Sequence, residues 1–383
     1  MKIFFSLMLT LTLALCSCAS EAPVDTEPEV TRVVAPEDTE STGQPSTDTV
    51  AEPDPVEDLL ASMTLEEKVG QMILVRVDSN SETAIKNIEK YHVGGYVLFA
   101  SEFADRNPFT AADYVKSLQD ASKIPLIIAT DEEGGTVVRV SKNKQYRATP
   151  FEQPRALIAK DSVSSDTKER CKLLASLGIN LNLAPVADIS TNKTDFIYYR
   201  SAGDVNTAVN YVKTFVESSE GVGTTLKHFP GYGGNADTHT GTATDTRDYK
   251  TFEERDFLPF KAGIEAGADV VMVSHNTVLC MDKDHPASLS KEVHRILREE
   301  LEFDGIITTD DLSMDAITKI CGAGEAGVMA VEAGNDLVCC SDLKVNYDAI
   351  LAAVKSGRIS EERIDESVRR ILKFKLDKGI IQQ

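Results

Sequence analysis

Eight short apolar runs with amphipathic stretches between them constrain this chain more than any other feature of its sequence. They are Gln71 to Val77, Gly95 to Phe99, Pro125 to Thr130, Asn180 to Ala187, Thr224 to Phe229, Asp269 to Ser274, Gly305 to Thr309 and Asp336 to Cys340. Each is rich in Val, Ile and Leu and lacks apolar–polar alternation, which suits a strand buried on both faces, as in a parallel sheet. Parallel neighbours need crossovers, and helix-like segments at Thr110 to Ser122, Val205 to Glu220, Phe252 to Ala266, Lys291 to Glu300 and Asn346 to Ser356 supply them. Helical patterning begins near Val56, and Thr64 with Glu67 makes a capping box that opens a further helix. Eight such units predict an α/β fold of the (β/α)8 TIM-like barrel type, although an open doubly wound sheet carries the same pattern.

The placement of polar residues selects the barrel. Asp131 follows the third run, Asp188 the fourth, Lys227 and His228 end the fifth, His275 follows the sixth, and Asp310 and Asp311 follow the seventh. All fall at carboxyl ends, the face on which barrel enzymes carry their chemistry. Helix capping would account for Asp188 and Asp311. It does not account for acids, histidines and a lysine collecting on five successive strands.

The densest of these clusters is the stretch from Lys227 to His239, a glycine-rich turn with two of the chain's six histidines. Asp237 and His239 stand two residues apart, so a tight turn lets the carboxylate hold the imidazole's tautomer. The competing reading is a turn in which Asp237 bonds only its own backbone. Asp310, at the end of a buried strand, is placed as a nucleophile would be. Asp131 beside a glycine turn suits ligand hydroxyls, and Lys227, His228 and Arg200 add donors for a ligand rich in oxygen. A carboxylate nucleophile with a proton donor is the arrangement of glycoside hydrolysis. His275 either lines this site or is a satisfied histidine behind it.

Outside the barrel the chain has a different character. Met1 and Lys2 followed by the apolar run from Ile3 to Leu15 have the form of an export signal, too short for a membrane span. In Leu15-Cys16-Ser17-Cys18-Ala19, which resembles a bacterial lipobox, Cys18 is the candidate lipidation site; Leu15 is too large to precede it at Cys16. The domain plan is therefore a leader through residue 18, an acidic Pro/Ser/Thr-rich tether over 19–55 predicted to be disordered, and a catalytic barrel over 56–383. This places the protein outside the cytoplasm, held at the bacterial membrane by lipid alone. The five remaining cysteines, Cys171, Cys280, Cys321, Cys339 and Cys340, have neither metal spacing nor an evident disulfide framework. A net charge of −21 excludes nucleic acid as a partner by repulsion. No His-Glu-x-x-His or phosphate-loop pattern occurs, so neither a metal nor a cofactor is expected.

Taken together, Met63 to Gln71, Asp131 to Gly135, Arg200-Ser201, Lys227 to Gly231, Asp237 to His239 and Thr309 to Met314 resemble glycoside hydrolase family 3, in its exo-β-N-acetylglucosaminidase branch. The resemblance implies that Asp310 forms a glycosyl-enzyme intermediate and that His239, held by Asp237, is the general acid and base. It implies that Asp131, Arg139, Arg200, Lys227 and His228 bind the terminal sugar. It also implies a single catalytic domain, since little sequence follows the eighth run. The expected activity is removal of terminal N-acetylglucosamine from peptidoglycan fragments or chitooligosaccharides. Departures from the branch are Tyr232 in place of a frequent histidine, a Gly233–Asp237 spacing one residue short, Thr136 for a common arginine and Ala202 for a common aromatic. All lie near the sugar, and they leave room for a β-glucosidase or β-xylosidase, a phosphorylase, or a sugar-binding lipoprotein without turnover.

Overall fold

The computed structural model describes residues 54–77 and 81–382. The leader with Cys18, and the tether up to residue 53, lie outside the described residues. Each apolar run contains one strand: β1 Ile73–Arg76, β2 Gly95–Leu98, β3 Ile127–Thr130, β4 Leu181–Asn182, β5 Gly223–Phe229, β6 Val270–Val273, β7 Ile306–Thr309 and β8 Val338–Cys340. Their spatial order runs β7-β6-β5-β4-β3-β2-β1-β8, all parallel. A parallel bridge between Thr308 and Leu337 joins β7 to the entry of β8 and closes the ring. The strand order never reverses part-way as it does in a doubly wound sheet. The fold is the (β/α)8 barrel.

Every residue of β2, β3, β5, β6, β7 and β8 is buried, which explains the missing alternation. The crossover helices bury one stripe each; Ser81–Tyr91, for example, buries Ala84, Ile88 and Tyr91. The capping box at Thr64 is formed, with Glu67 N–H donating to Thr64 Oγ1 at 3.2 Å and Thr64 N–H to Glu67 Oε2 at 2.9 Å. The helix expected from Phe252 contains a π-helical turn over Phe252–Asp256 before the regular helix Phe257–Glu265. Pro259 lies one turn further on, and a widened turn relieves the clash its ring would make with the preceding carbonyls.

Two small ribbons at the carboxyl ends carry no legible sequence pattern. Glu132–Gly134 pairs antiparallel with Val137–Val138, and Thr244–Asp245 pairs parallel with Thr277–Val278. The second ties the return of the loop after β5 to the loop after β6, so the glycine-rich stretch is anchored at both ends. Within β5 the register against β6 slips between Lys227 and Phe229. Successive residues of a regular strand face opposite sides, and a bulge is the usual means of re-aiming one. Here Lys227 and His228 line the same cavity.

Candidate active site

The carboxyl ends of the strands surround a cavity of about 590 Å³, within the range that encloses a small molecule. Of the nine candidate residues, Asp131, Arg139, Arg200, Lys227, His228, Asp237, His239 and Asp310 line it. His275 does not. It is buried behind the β7 end, with Nε2 3.0 Å from the Asp311 carbonyl and Nδ1 2.7 Å from Ser288 Oγ. A carbonyl only accepts, so Nε2 carries the proton and Ser288 donates to Nδ1. Burial pushes the imidazole's pKa down, which keeps it neutral. The expected substrate contact is thus corrected to a positioning role beneath the Asp310–Asp311 peptide.

The cavity floor is an ion network built from the three adjacent acids after β3. Asp131 Oδ1 takes a hydrogen bond from Lys227 Nζ at 2.8 Å, and its Oδ2 lies 3.3 Å from Arg139 Nη2. Glu133 lies 2.6 Å from Lys227 Nζ and accepts a bidentate pair from Arg200 at 2.9 and 2.7 Å. Glu132 turns inward and accepts the N–H groups of Arg139 and Val140, both at 2.8 Å, which fixes where Arg139 begins. Gly134, at φ +98°, brings the backbone so close to the Glu152 carbonyl that a Cβ would lie 2.2 Å from it. Burial works against the charge on Glu133, yet Arg200 and Lys227 outweigh it and hold that carboxyl far below the usual range. For Lys227 burial is likewise overcome, by Asp131 and Glu133, and its pKa is raised. Glu133 and Lys227 therefore stay ionised, with the donors of the floor already oriented.

His228 is held on both sides. Nε2 lies 3.1 Å from Arg200 Nη2, which can only donate, so Nδ1 carries the proton and donates to Asp188 Oδ2 at 2.7 Å. Asp188 also accepts the backbone N–H of His228 at 3.0 Å and of Tyr232 at 2.6 Å. The expectation of a helix cap at Asp188 is corrected: this buried carboxylate organises the start of the glycine-rich loop. Asp311 does not cap the next helix either, which starts at Asp315; its Oδ1 accepts Ser313 N–H at 2.9 Å in a local turn.

Above the floor stand Asp310 and His239, the candidate catalytic groups. Asp310 N–H bonds to the Val273 carbonyl at 3.1 Å, which sets the carboxylate over the barrel mouth, and Asp311 N–H donates to Asp310 Oδ1 at 2.8 Å. Burial opposes ionisation of Asp310, while the hydrogen bond from Asp311 N–H favours it, and on balance the pKa of the carboxyl is lowered. His239, whose side chain is 57% exposed, has its Nδ1 2.7 Å from Asp237 Oδ1. That bond leaves Nε2 as the nitrogen available to a ligand.

Sequence reasoning missed the tie that holds this loop. Tyr232, buried beneath it, accepts Thr238 N–H at 3.1 Å and is hydrogen-bonded to Thr238 Oγ1, so it grips the residue between Asp237 and His239. Burial, chiefly, pushes the phenol up to about 12, so it remains a hydroxyl. Arg247 Nη2 donates to the Gly231 carbonyl at 3.1 Å and to Asp245, while its Nη1 donates to Asp256. Among the described residues no group of three His, Cys, Asp or Glu side chains is arranged to hold a metal ion.

A parallel barrel presenting an ionised carboxylate and a carboxylate-held histidine over a floor of fixed donors has the form of a sugar-cleaving enzyme. The chain belongs to glycosyl hydrolase family 3: residues 64–374 match the family's N-terminal domain, and the protein is a glycoside hydrolase. It is 33% identical over 279 residues to a beta-hexosaminidase of Xylella fastidiosa, covering 70% of this chain and 81% of that protein. It is 31% identical over 326 residues to beta-hexosaminidase A of Pseudoalteromonas piscicida, covering 75% of this chain and 54% of that one. Among solved structures, a family 3 β-N-acetylglucosaminidase from Paenibacillus sp. superposes with a TM-score of 0.78 at 35% identity, over 83% of this chain and 63% of the other. A β-N-acetylhexosaminidase from Beutenbergia cavernae gives 0.74 at 29% identity, over 83% and 99%.

Proposed function

We propose that the protein is a retaining exo-β-N-acetylhexosaminidase that releases terminal N-acetylglucosamine from peptidoglycan fragments or chitooligosaccharides. The observation that carries this reading is the pairing, at one cavity, of the Asp310 carboxylate with the His239 imidazole whose Nδ1 is taken by Asp237. The two beta-hexosaminidase relatives support the choice of sugar.

The reaction is a double displacement. Asp310 attacks the anomeric carbon and forms an ester with it, while Nε2–H of protonated His239 gives its proton to the departing oxygen. Neutral His239 then takes a proton from water, the water oxygen attacks the anomeric carbon, and Asp310 leaves as a carboxylate. Asp237 serves both steps by orienting the ring and stabilising its cationic form. Lys227, Arg139 and Asp131 receive the hydroxyls of the terminal sugar, and Arg200 and His228 complete the floor.

Release of 4-nitrophenol from its N-acetyl-β-glucosaminide, compared with the β-glucoside and β-xyloside, tests the sugar. Asp310→Asn should lower kcat by roughly a thousandfold or more. Equal rates for variant and wild type would remove Asp310 from the mechanism, and a sugar phosphate formed only with added phosphate would make the enzyme a phosphorylase. The location is a further part of the proposal, resting on Cys18 and the leader: Cys18→Ser should move the protein from the detergent to the aqueous phase in phase partition of expressing bacteria.

A further inference from the structure

The mouth of the cavity carries two aromatic rings that the steps above leave unused. Phe196 is 36% exposed and Tyr199 53%, and both line the same cavity as Asp310 and His239. Both lie on the loop after β4, and each is held from behind. Tyr199 meets Tyr198 edge-on at 5.1 Å, and the Arg155 guanidinium packs 4.2 Å from the Tyr198 ring centre. Phe196 packs against Tyr232 at 5.5 Å.

That last contact gives the rings a side. Tyr232 grips Thr238, whose neighbours are Asp237 and His239, so Phe196 is tied through Tyr232 to the loop that carries the acid histidine, and Tyr199 lines the same cavity. The oxygen that His239 protonates belongs to the departing group. The hydrogen-bonding floor of Asp131, Glu133 and Lys227 suits the hydroxyls of the sugar being cleaved, whereas an exposed aromatic face suits the C–H face of a ring stacked on it. Asp237 lines the same cavity, and the Arg200 guanidinium packs 5.7 Å from the Phe196 ring centre, so polar groups that a hydroxylated ring can use and an alkyl chain cannot share the cavity with those rings.

We propose that Phe196 and Tyr199 form a binding site for the leaving half of the substrate, a second pyranose ring stacked on the aromatic mouth. The preferred substrates are then disaccharides or longer, in place of simple alkyl glycosides. This rests on the hexosaminidase reading above, since only a glycoside cleaved beside His239 puts its leaving group there.

The test compares kcat/KM for N,N′-diacetylchitobiose and methyl N-acetyl-β-glucosaminide, which share the cleaved sugar and differ in the leaving group. Tyr199→Ala should lower the chitobiose-to-methyl ratio by about 3- to 10-fold, and Tyr199→Phe, which keeps the ring, should restore it. An unchanged ratio in Tyr199→Ala, or a ratio not restored by phenylalanine, overturns the proposal. If wild type cleaves neither compound, the activity reading fails, and calorimetry then decides the site alone. Chitobiose binding weakened by Tyr199→Ala and restored by Tyr199→Phe upholds it, and equal or undetectable binding by all three proteins overturns it.

Discussion

At Asp237 one carboxylate oxygen accepts both the His239 backbone N–H at 3.0 Å and its Nδ1–H at 2.7 Å. The self-bonded turn and the held imidazole, which the sequence sets against each other, are thus the same set of bonds, and the turn is what aims the ring. Acid help matters most where the departing oxygen is a poor leaving group. His239→Ala should therefore lower kcat/KM on chitobiose by about 10²- to 10⁴-fold but much less on 4-nitrophenyl N-acetyl-β-glucosaminide, and a series of aryl leaving groups would measure the steeper dependence. A uniform loss across the series would assign His239 to binding. Asp131, Lys227, His228 and Asp310 were legible because each ends or follows an apolar run. Glu133 was not, because its partner Arg200 is 67 residues away and nothing local marks the pair. For His275 the sequence leaves the site contact and the satisfied histidine both open for a related reason: the end of a run marks the mouth, but not which way a side chain turns.

Among elements, the strands were legible to within a few residues because burial on both faces leaves an uninterrupted apolar run. The slip in β5 was not, since Leu226 to Phe229 reads as an ordinary strand and the bulge exists only in its pairing with β6. Helices that bury one stripe were legible in the same way. The last of them, Glu361–Asp377, conceals a cost on its buried face. Lys375 is fully buried, with Nζ 2.6 Å from Gln71 Oε1 and no carboxylate partner among the described residues, and burial lowers its pKa to about 7 from the usual 10.5. Between those values the unfolded chain binds the proton that the folded protein has released, so stability rises with pH across that window and the full penalty is present below it. At about 1.4 kcal/mol per pH unit, the penalty is on the order of a few kcal/mol. Lys375→Met should raise Tm by a few degrees at pH 6, even after about 1 kcal/mol is lost at Gln71, and the gain should fade toward pH 10. Thermal melts across that range would show it, and a gain independent of pH would mean that packing, not charge, is responsible.

For the whole molecule the demanding step is closure, because the ring must bring its seventh strand beside its eighth. The eight runs announce a barrel, yet they say nothing of how the seam is stitched. Its backbone contribution includes the Thr308–Leu337 bridge, Leu337 N–H to the Ile307 carbonyl at 3.0 Å and Asp336 N–H to the same carbonyl at 2.8 Å. The side chain of Asp336, the first residue of the eighth run, carries the rest. Its Oδ2 accepts Ile307 N–H at 2.9 Å and Arg298 Nη2 at 2.5 Å, while its Oδ1 accepts Ser367 Oγ at 2.8 Å and Arg370 Nη1 at 3.3 Å. Arg363 stands a little farther off, at 4.0 Å. One buried carboxylate thus joins β7, the entry to β8 and the C-terminal helix. Removing it would strand the Ile307 N–H and leave the surrounding guanidiniums to repel one another in a site that offers them little water. Asp336→Ala should accordingly cost about 3–5 kcal/mol, read as a lowered denaturant midpoint. Because Asp310 directly follows β7 and Cys339 of β8 lines the cavity, the loosened seam should also depress turnover at temperatures where the fold still survives. A variant that unfolds at the wild-type midpoint would show that the backbone bridges alone hold the barrel shut.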